Sequence, residues 1–350
     1  MVKKIFSFFV SISFLFLFSS QAFAHEAYVL THREFSKGLL VNSPNPLGPL
    51  FDPSYLKISA IITFLVMLSY FFAVLWATTP IAKKLDGVVR KAKVFGPFII
   101  RIAISSSFFF AAEINSMLGP ELSLSAVPGG DIIRLLLFVI AFMVLLGVFV
   151  EVAAFIGILL FIYLSNIYGI YMLTYLNYFG ELLVLLFFGS RLLSFDGYFF
   201  GKKLWFKKME KFRELEIPIV RVLYGLALIY AGWSIKFQHQ ELSVMVYNQY
   251  HLKDFFHASA QFIAAGAGLS EILIGVFILI GFVMRFTILI SLVFITLSLI
   301  YFHEMLWPHL MLYGISFSLI INSADKYTID RYLIPRVGSV LKKAFKFIGR

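Results

Sequence analysis

Apolar residues in this chain do not alternate with polar ones. They come in runs, first Ile5 to Phe18, then about Ile58 to Trp76, then eight further stretches, with Lys and Arg gathered in a few short segments between them. Inside hydrocarbon the backbone must satisfy its own hydrogen bonds, so only helices or closed barrels cross, and a helix needs about 20 residues to do so. Continuous rather than alternating hydrophobicity excludes the barrel. The pattern predicts an all-α polytopic membrane protein.

The first run differs from the rest. Lys3-Lys4, the apolar stretch and Ala22-Phe23-Ala24 have the basic, greasy and small-residue order of a cleavable signal peptide over residues 1–24, and an uncleaved anchor helix is the alternative. Residues 25–56 then read as an extracytoplasmic segment. In it Thr31 and Glu34 have capping-box spacing before a short helix that Gly38 would stop, and "SPNPLGPLFDP" is a turn-rich connection. The basic loop around Lys83, Lys84, Arg90, Lys91 and Lys93 is expected in the cytoplasm, with the linker from Lys202 to Arg213 and the tail from Lys326 to Arg350 on the same side. Nine mature spans result, with the N-terminus outside and the C-terminus inside.

Behind the first of these spans, with its loop at 57–96, the chain repeats itself. A shift of 120 positions lays Arg101 on Arg221, Ala111 on Ala231 and Glu121–Ser123 on Glu241–Ser243. A shift of 134 lays Leu145 and Gly147 on Leu279 and Gly281, Gly180 on Gly314 and Asp196 on Asp330. The repeat predicts two tandem four-helix transmembrane bundles, at 97–200 and 217–334, joined by a basic linker at 201–216 and followed by a basic tail at 335–350.

Composition narrows the chemistry. The net charge of +11 sits in the loops, where it sets topology rather than nucleic-acid binding, and 60% of residues are hydrophobic. With no cysteine there is no disulfide, thiol relay or cysteine-ligated iron–sulfur centre. "HEMLWPH" and "HEAYVLTH" begin His-Glu, but neither has the two histidines four apart that a zinc protease requires.

Arg221, Gly225, Gly232 and Lys236 on one predicted helix, Glu271, Gly275 and Gly281 to Arg285 on the next, and "DKYTIDRYL" after the fourth form a recognisable set. On these, residues of about 218–333 resemble the DoxX family of four-helix membrane proteins, and about 98–200 look like a diverged second copy. The resemblance implies a four-helix fold. Its namesake belongs to an archaeal quinol oxidase and thiosulfate:quinone oxidoreductase, which implies a membrane redox complex as the setting.

All seven histidines, His25, His32, His239, His251, His257, His303 and His309, fall on the predicted outer side. They could hold a transition metal or haem iron, or relay protons; the structural alternative is a set of interfacial side chains with no joint role. The helical stagger places His257, Gln261, Ala264, Gly268, Glu271 and Gly275 on one face. Glu271 lies mid-helix, where a charge is costly and marks a proton path, a ligand contact or a buried pair; Lys236 is its nearest candidate partner. Glu181 raises the same question in the first unit. That unit has Ser116, Gly119, Gly169 and Tyr175 where the second has Lys236, His239, His303 and His309, which makes the second the candidate active unit. The glycines serve close helix packing equally well.

Three functions follow. One is a subunit of a quinone-linked redox system in the cytoplasmic membrane, with Glu271 and Lys236 as proton or quinone groups, His257, Gln261 and Tyr313 as cofactor contacts, and redox-complex subunits as partners. Another is an extracytoplasmic copper or other metal-binding or transport protein, using His25, His32, His239, His303 and His309. A third is a structural assembly subunit without a cofactor. Quinone, copper and haem are the candidate cofactors, the lipid bilayer is the surrounding partner, and nucleic acid is none.

Overall fold

The computed structural model describes residues 26–189, 194–199, 207–323 and 325–348, so the expected leader and His25 lie outside the described residues. Two short helices, α1 (Glu26–Val29) and α2 (His32–Gly38), come first. The capping box that starts α2 is formed: Thr31 N–H donates to Glu34 Oε2 at 2.9 Å and Glu34 N–H to Thr31 Oγ1 at 3.3 Å. The first long rod, α3 (Leu56–Thr78), ends where Thr79 caps α4 (Pro80–Arg90), its hydroxyl accepting from Ala82 N–H while Pro80 occupies the first turn.

The first unit consists of α5 (Gly96–Glu113), α6 (Gly130–Leu146), α7 (Val150–Tyr168) and α8 (Leu176–Phe188), followed by the short α9 (Phe195–Phe199). The second consists of α10 (Glu216–Ala231), the shorter α11 (Gln240–Gln249) outside the bundle, α12 (Ala260–Ile280), α13 (Met284–Tyr301) and α14 (Leu306–Ile321). A last helix, α15 (Asp330–Ile348), packs against α3. Its residues Leu333, Ile334, Val337, Gly338 and Leu341 recur at helical spacing and are less exposed than those between them, so the basic tail is amphipathic. Six helical stretches among the described residues are long and apolar enough to cross a membrane. One of these stretches, Val150–Phe188, joins α7 and α8, and the remaining expected spans, α6 and α14, are apolar but have only 17 and 16 residues. The chain is an all-α polytopic membrane protein.

The backbone repeats where the sequence does. Gly147 and Gly281 close α6 and α12 at φ of 73° and 70°, and two residues later Phe149 and Val283 open the next helix at φ of 45° and 42°. Glycine adopts this left-handed conformation most readily, and a Cβ on Gly147 or Gly281 would also press on Ser194 or Thr328. Asp196 and Asp330 N–H donate to the Gly147 and Gly281 carbonyls at 3.1 and 3.2 Å. Arg101 donates to the Val144 and Leu145 carbonyls at 2.9 and 2.7 Å, and Arg221 reaches the Ile278 carbonyl at 3.2 Å and that of Leu279. Each arginine thus adds donors to carbonyls in the last turn of a helix, where intrahelical partners run out.

Helices within a unit pack in chain order. The circuit is closed by α8 on α10 and by α14 on α5, while the first and fourth helices of one unit touch each other only slightly. The two units therefore share one apolar core, which runs from Phe108 and Tyr178 through Tyr224 to Met311 and Leu319. Lipid is as apolar as a side chain, so close approach rather than water exclusion holds such helices together. At the α10–α12 crossing, a Cβ on Gly225 would lie 2.7 Å from the Gly275 carbonyl oxygen, and the converse distance is the same. Only glycine fits on either side.

Candidate functional site

Above the glycine crossing, α10 widens into a π-helical turn, Gly232–Gln238, which carries Lys236. Such turns insert an extra residue and re-aim a side chain. Gly268 on α12 makes the room, since a Cβ there would sit 2.9 Å from Lys236 Cβ. The Lys236 ammonium is buried between two carboxylates, 3.0 Å from Glu26 Oε2 and 3.3 Å from Glu271 Oε2. Ser243 Oγ donates to the other oxygen of Glu26 at 2.5 Å. The expected Lys236–Glu271 pair is present, and Glu26 from α1 makes it a triad.

Glu26 is brought there by packing. Ala27, Leu30 and Phe35 sink into an apolar cluster with Leu242, Val246, Tyr247 and Phe302, which seats the N-terminal segment on the second unit. Two residues after Glu26, the Tyr28 ring stands edge-on to His309, centroids 5.3 Å apart. Burial pushes the Tyr28 phenol well up, with the Glu121 carboxyl adding to the shift.

His309 is buried at the start of α14. Its Nδ1 lies 2.9 Å from the Met305 carbonyl and its Nε2 2.8 Å from Glu304 Oε2, while Ser298 Oγ donates to Glu304 Oε1. A carbonyl can only accept, so Nδ1 bears a hydrogen. Nε2 then faces a carboxyl, and this contact is a hydrogen bond only if a proton lies between them, on the imidazole or on the glutamate. The contact ties His309 to Glu304 within the buried cluster.

Across the seam, Glu121 accepts hydrogen bonds from Tyr171, at 2.9 Å, and from Tyr175. Burial pushes the Glu121 carboxyl up, against the hydrogen bonds from Tyr175 and Tyr171. Tyr175 is the residue that the repeat aligns with His309. Both therefore face a buried glutamate from the same position in their units, with Tyr28 between them. A cavity of about 30 Å³, lined by residues including Glu26, Tyr28, Tyr175, Asn177 and Pro308, lies beside them. It has room for a water or two.

Residues 217–304 match the family model DoxX. This segment is a DoxX module. No curated protein and no solved structure matches the chain. The module holds Lys236, Glu271, Ser298 and Glu304, whereas Glu26, Tyr28 and His309, which complete the polar groups, come from outside it. The DoxX module is thus finished by an N-terminal segment that its own boundaries do not include.

The remaining predicted residues are dispersed around the DoxX module. His32 is exposed, 3.3 Å from Ser36 Oγ; His239 Nδ1 lies 3.2 Å from the Val41 carbonyl; His257 and His303 are exposed. Gln261 is exposed at the start of α12, and the Tyr313 hydroxyl lies 2.8 Å from Thr296 Oγ1 between α13 and α14. Among the described residues no three of His, Asp and Glu come close enough to share a metal ion. What the sequence reading missed is the glutamates of the two His-Glu pairs. Glu26 and Glu304 are the buried, partnered members, and His303 beside Glu304 is exposed. The available signal was an acidic residue inside an apolar stretch.

Proposed function

We propose that this protein is a multi-pass subunit of a quinone-linked redox system in the cytoplasmic membrane, and that its own part is to hold and pass protons at the extracytoplasmic end of the DoxX module. In this reading the mature N-terminal segment lies outside and α15 lies on the cytoplasmic face, which the basic loops favour. The observation that carries the proposal is the Glu26–Lys236–Glu271 triad. Two carboxyl groups meet one ammonium inside an apolar bundle, where charged groups are costly and mark a proton path or a ligand contact. The buried His309–Glu304 pair adds a second polar contact at the same end.

Reduction of a quinone consumes two protons with its two electrons, so proton-holding groups suit such a system. The cavity next to the triad is too small for a quinone ring, so the ring belongs on a partner subunit or at the lipid-facing surface, and no step here runs through it. Among the described residues no three metal-ligating side chains come together, and His25 lies outside them.

The test uses membranes carrying the native complex. Glu271→Gln is expected to lower quinone-dependent electron transfer several-fold while the complex remains assembled. Unchanged transfer after Glu271→Gln, together with no quinone extracted from the purified complex, overturns the reading in favour of a purely structural subunit.

A further inference from the structure

The first unit contains a polar system that the triad does not use. Tyr171, Tyr175, Tyr178 and Glu181 recur at intervals of three or four through the fourth helical segment of that unit and so share a face. At its outer end Glu121 accepts from Tyr175 and Tyr171. The Tyr178 ring lies 6.0 Å from that of Tyr175, and its hydroxyl is 2.5 Å from Ser107 Oγ on α5.

One turn further, Glu181 has no exposed surface, and neither of its carboxyl oxygens has a hydrogen-bond partner. Glu216, buried at the start of α10, is the acidic group nearest in effect to it. Among the described side chains of the elements packed against α8, the other charged groups have partners of their own, Arg213 among them and Glu214 with Lys326. Arg101 is held by the Val144 and Leu145 carbonyls, Arg221 by the Ile278 carbonyl and Asp325, Glu151 lies beside Asp196, and Lys211 stands over the Phe212 ring. An ionised carboxylate without a cation or donor does not persist in such a place. A carboxyl there carries a proton.

We propose that Glu181 is a proton-binding site, loaded from Glu216 at one end and unloaded along Tyr178, Ser107 and Tyr175 to Glu121 at the other. In each transfer a hydroxyl or carboxyl oxygen gives up one proton as it accepts another, so one proton moves the length of the unit with no change in oxidation state. This path is separate from Lys236 and Glu271 and runs through the first unit, with its loading end on α10 of the second.

Infrared spectroscopy of the full-length protein in lipid nanodiscs, with exchange from H₂O into D₂O at neutral pH, tests this. The wild type is expected to show a carboxylic-acid C=O band that moves in D₂O and is missing in Glu181→Gln. Glu216→Gln and Tyr178→Phe are expected to keep the band and slow its exchange several-fold. Loss of no band in Glu181→Gln overturns the site, and exchange as fast in both other variants as in wild type overturns the path. If Glu181→Gln does not fold, Glu181→Asp gives the same reading: a shifted band supports the site and an unshifted one overturns it.

Discussion

A buried charge is stable only in company, and Lys236 shows what that company does. Removing its ammonium strands Glu26 and Glu271 together, whereas removing one carboxylate still leaves an ion pair. Lys236→Met is therefore expected to destabilise by about 3–5 kcal/mol, and Glu26→Gln by clearly less. Thermal unfolding in detergent, followed by tryptophan fluorescence, measures both; equal losses would contradict the triad. Glu121 makes a prediction in pH. Burial raises its carboxyl above the reference value of 4.5, so the folded protein binds this proton more tightly than the unfolded chain. The resulting stability is fully present below the unfolded value and is lost as pH rises through the folded one. Glu121→Gln should flatten that part of the melting-temperature profile, and a profile unchanged by the substitution refutes the assignment.

Among the elements, the α10–α12 crossing is the most demanding. Gly225 and Gly275 let the two backbones meet, and a side chain on either would press on the opposite carbonyl. Gly275→Val is expected to cost about 1–3 kcal/mol through overpacking and to disturb Lys236 above the crossing. Gly87 in α4 is the control, because nothing lies within 4 Å of a Cβ placed there. Gly87→Ala should stabilise by about 0.5–1 kcal/mol through helix propensity alone. The same melting assay separates the two glycines, and comparable effects of the same sign would refute the packing argument. The glycines, the capping box at Thr31 and the turns at Gly147 and Gly281 were all visible in the sequence, because each depends on residues close together in the chain or on a simple spacing.

For the whole molecule, the closed circuit of helices decides stability. Because α8 packs on α10 and α14 on α5, neither unit buries its first and fourth helices alone. A chain divided between residues 199 and 207 is expected to give two fragments that co-purify when expressed together and aggregate when expressed singly, as size-exclusion chromatography would show. A monodisperse second fragment on its own would refute this. The seam between the units also gathers Tyr28, His309, Tyr175 and Glu121, which come from four distant parts of the chain. That cluster could not be read in advance. The His309–Tyr175 alignment suggested a lost site in the first unit, whereas both positions face a buried glutamate.

What the sequence determined by itself is whatever hydrocarbon enforces locally: apolar runs become helices, basic loops favour one side, and a repeated Arg–Gly–Asp spacing becomes a repeated turn. It also located Lys236 and Glu271, since an isolated charge in an apolar run stands out and helical stagger turns it inward. Tertiary structure alone decided which groups those charges meet. Glu26 reaches Lys236 because Ala27, Leu30 and Phe35 bury themselves against α11 and its neighbours, a contact across some two hundred residues that no periodicity encodes. It likewise left most of the described histidines at the surface and sealed Glu181 inside, because burial depends on which helices close the circuit and not on the face a single helix presents.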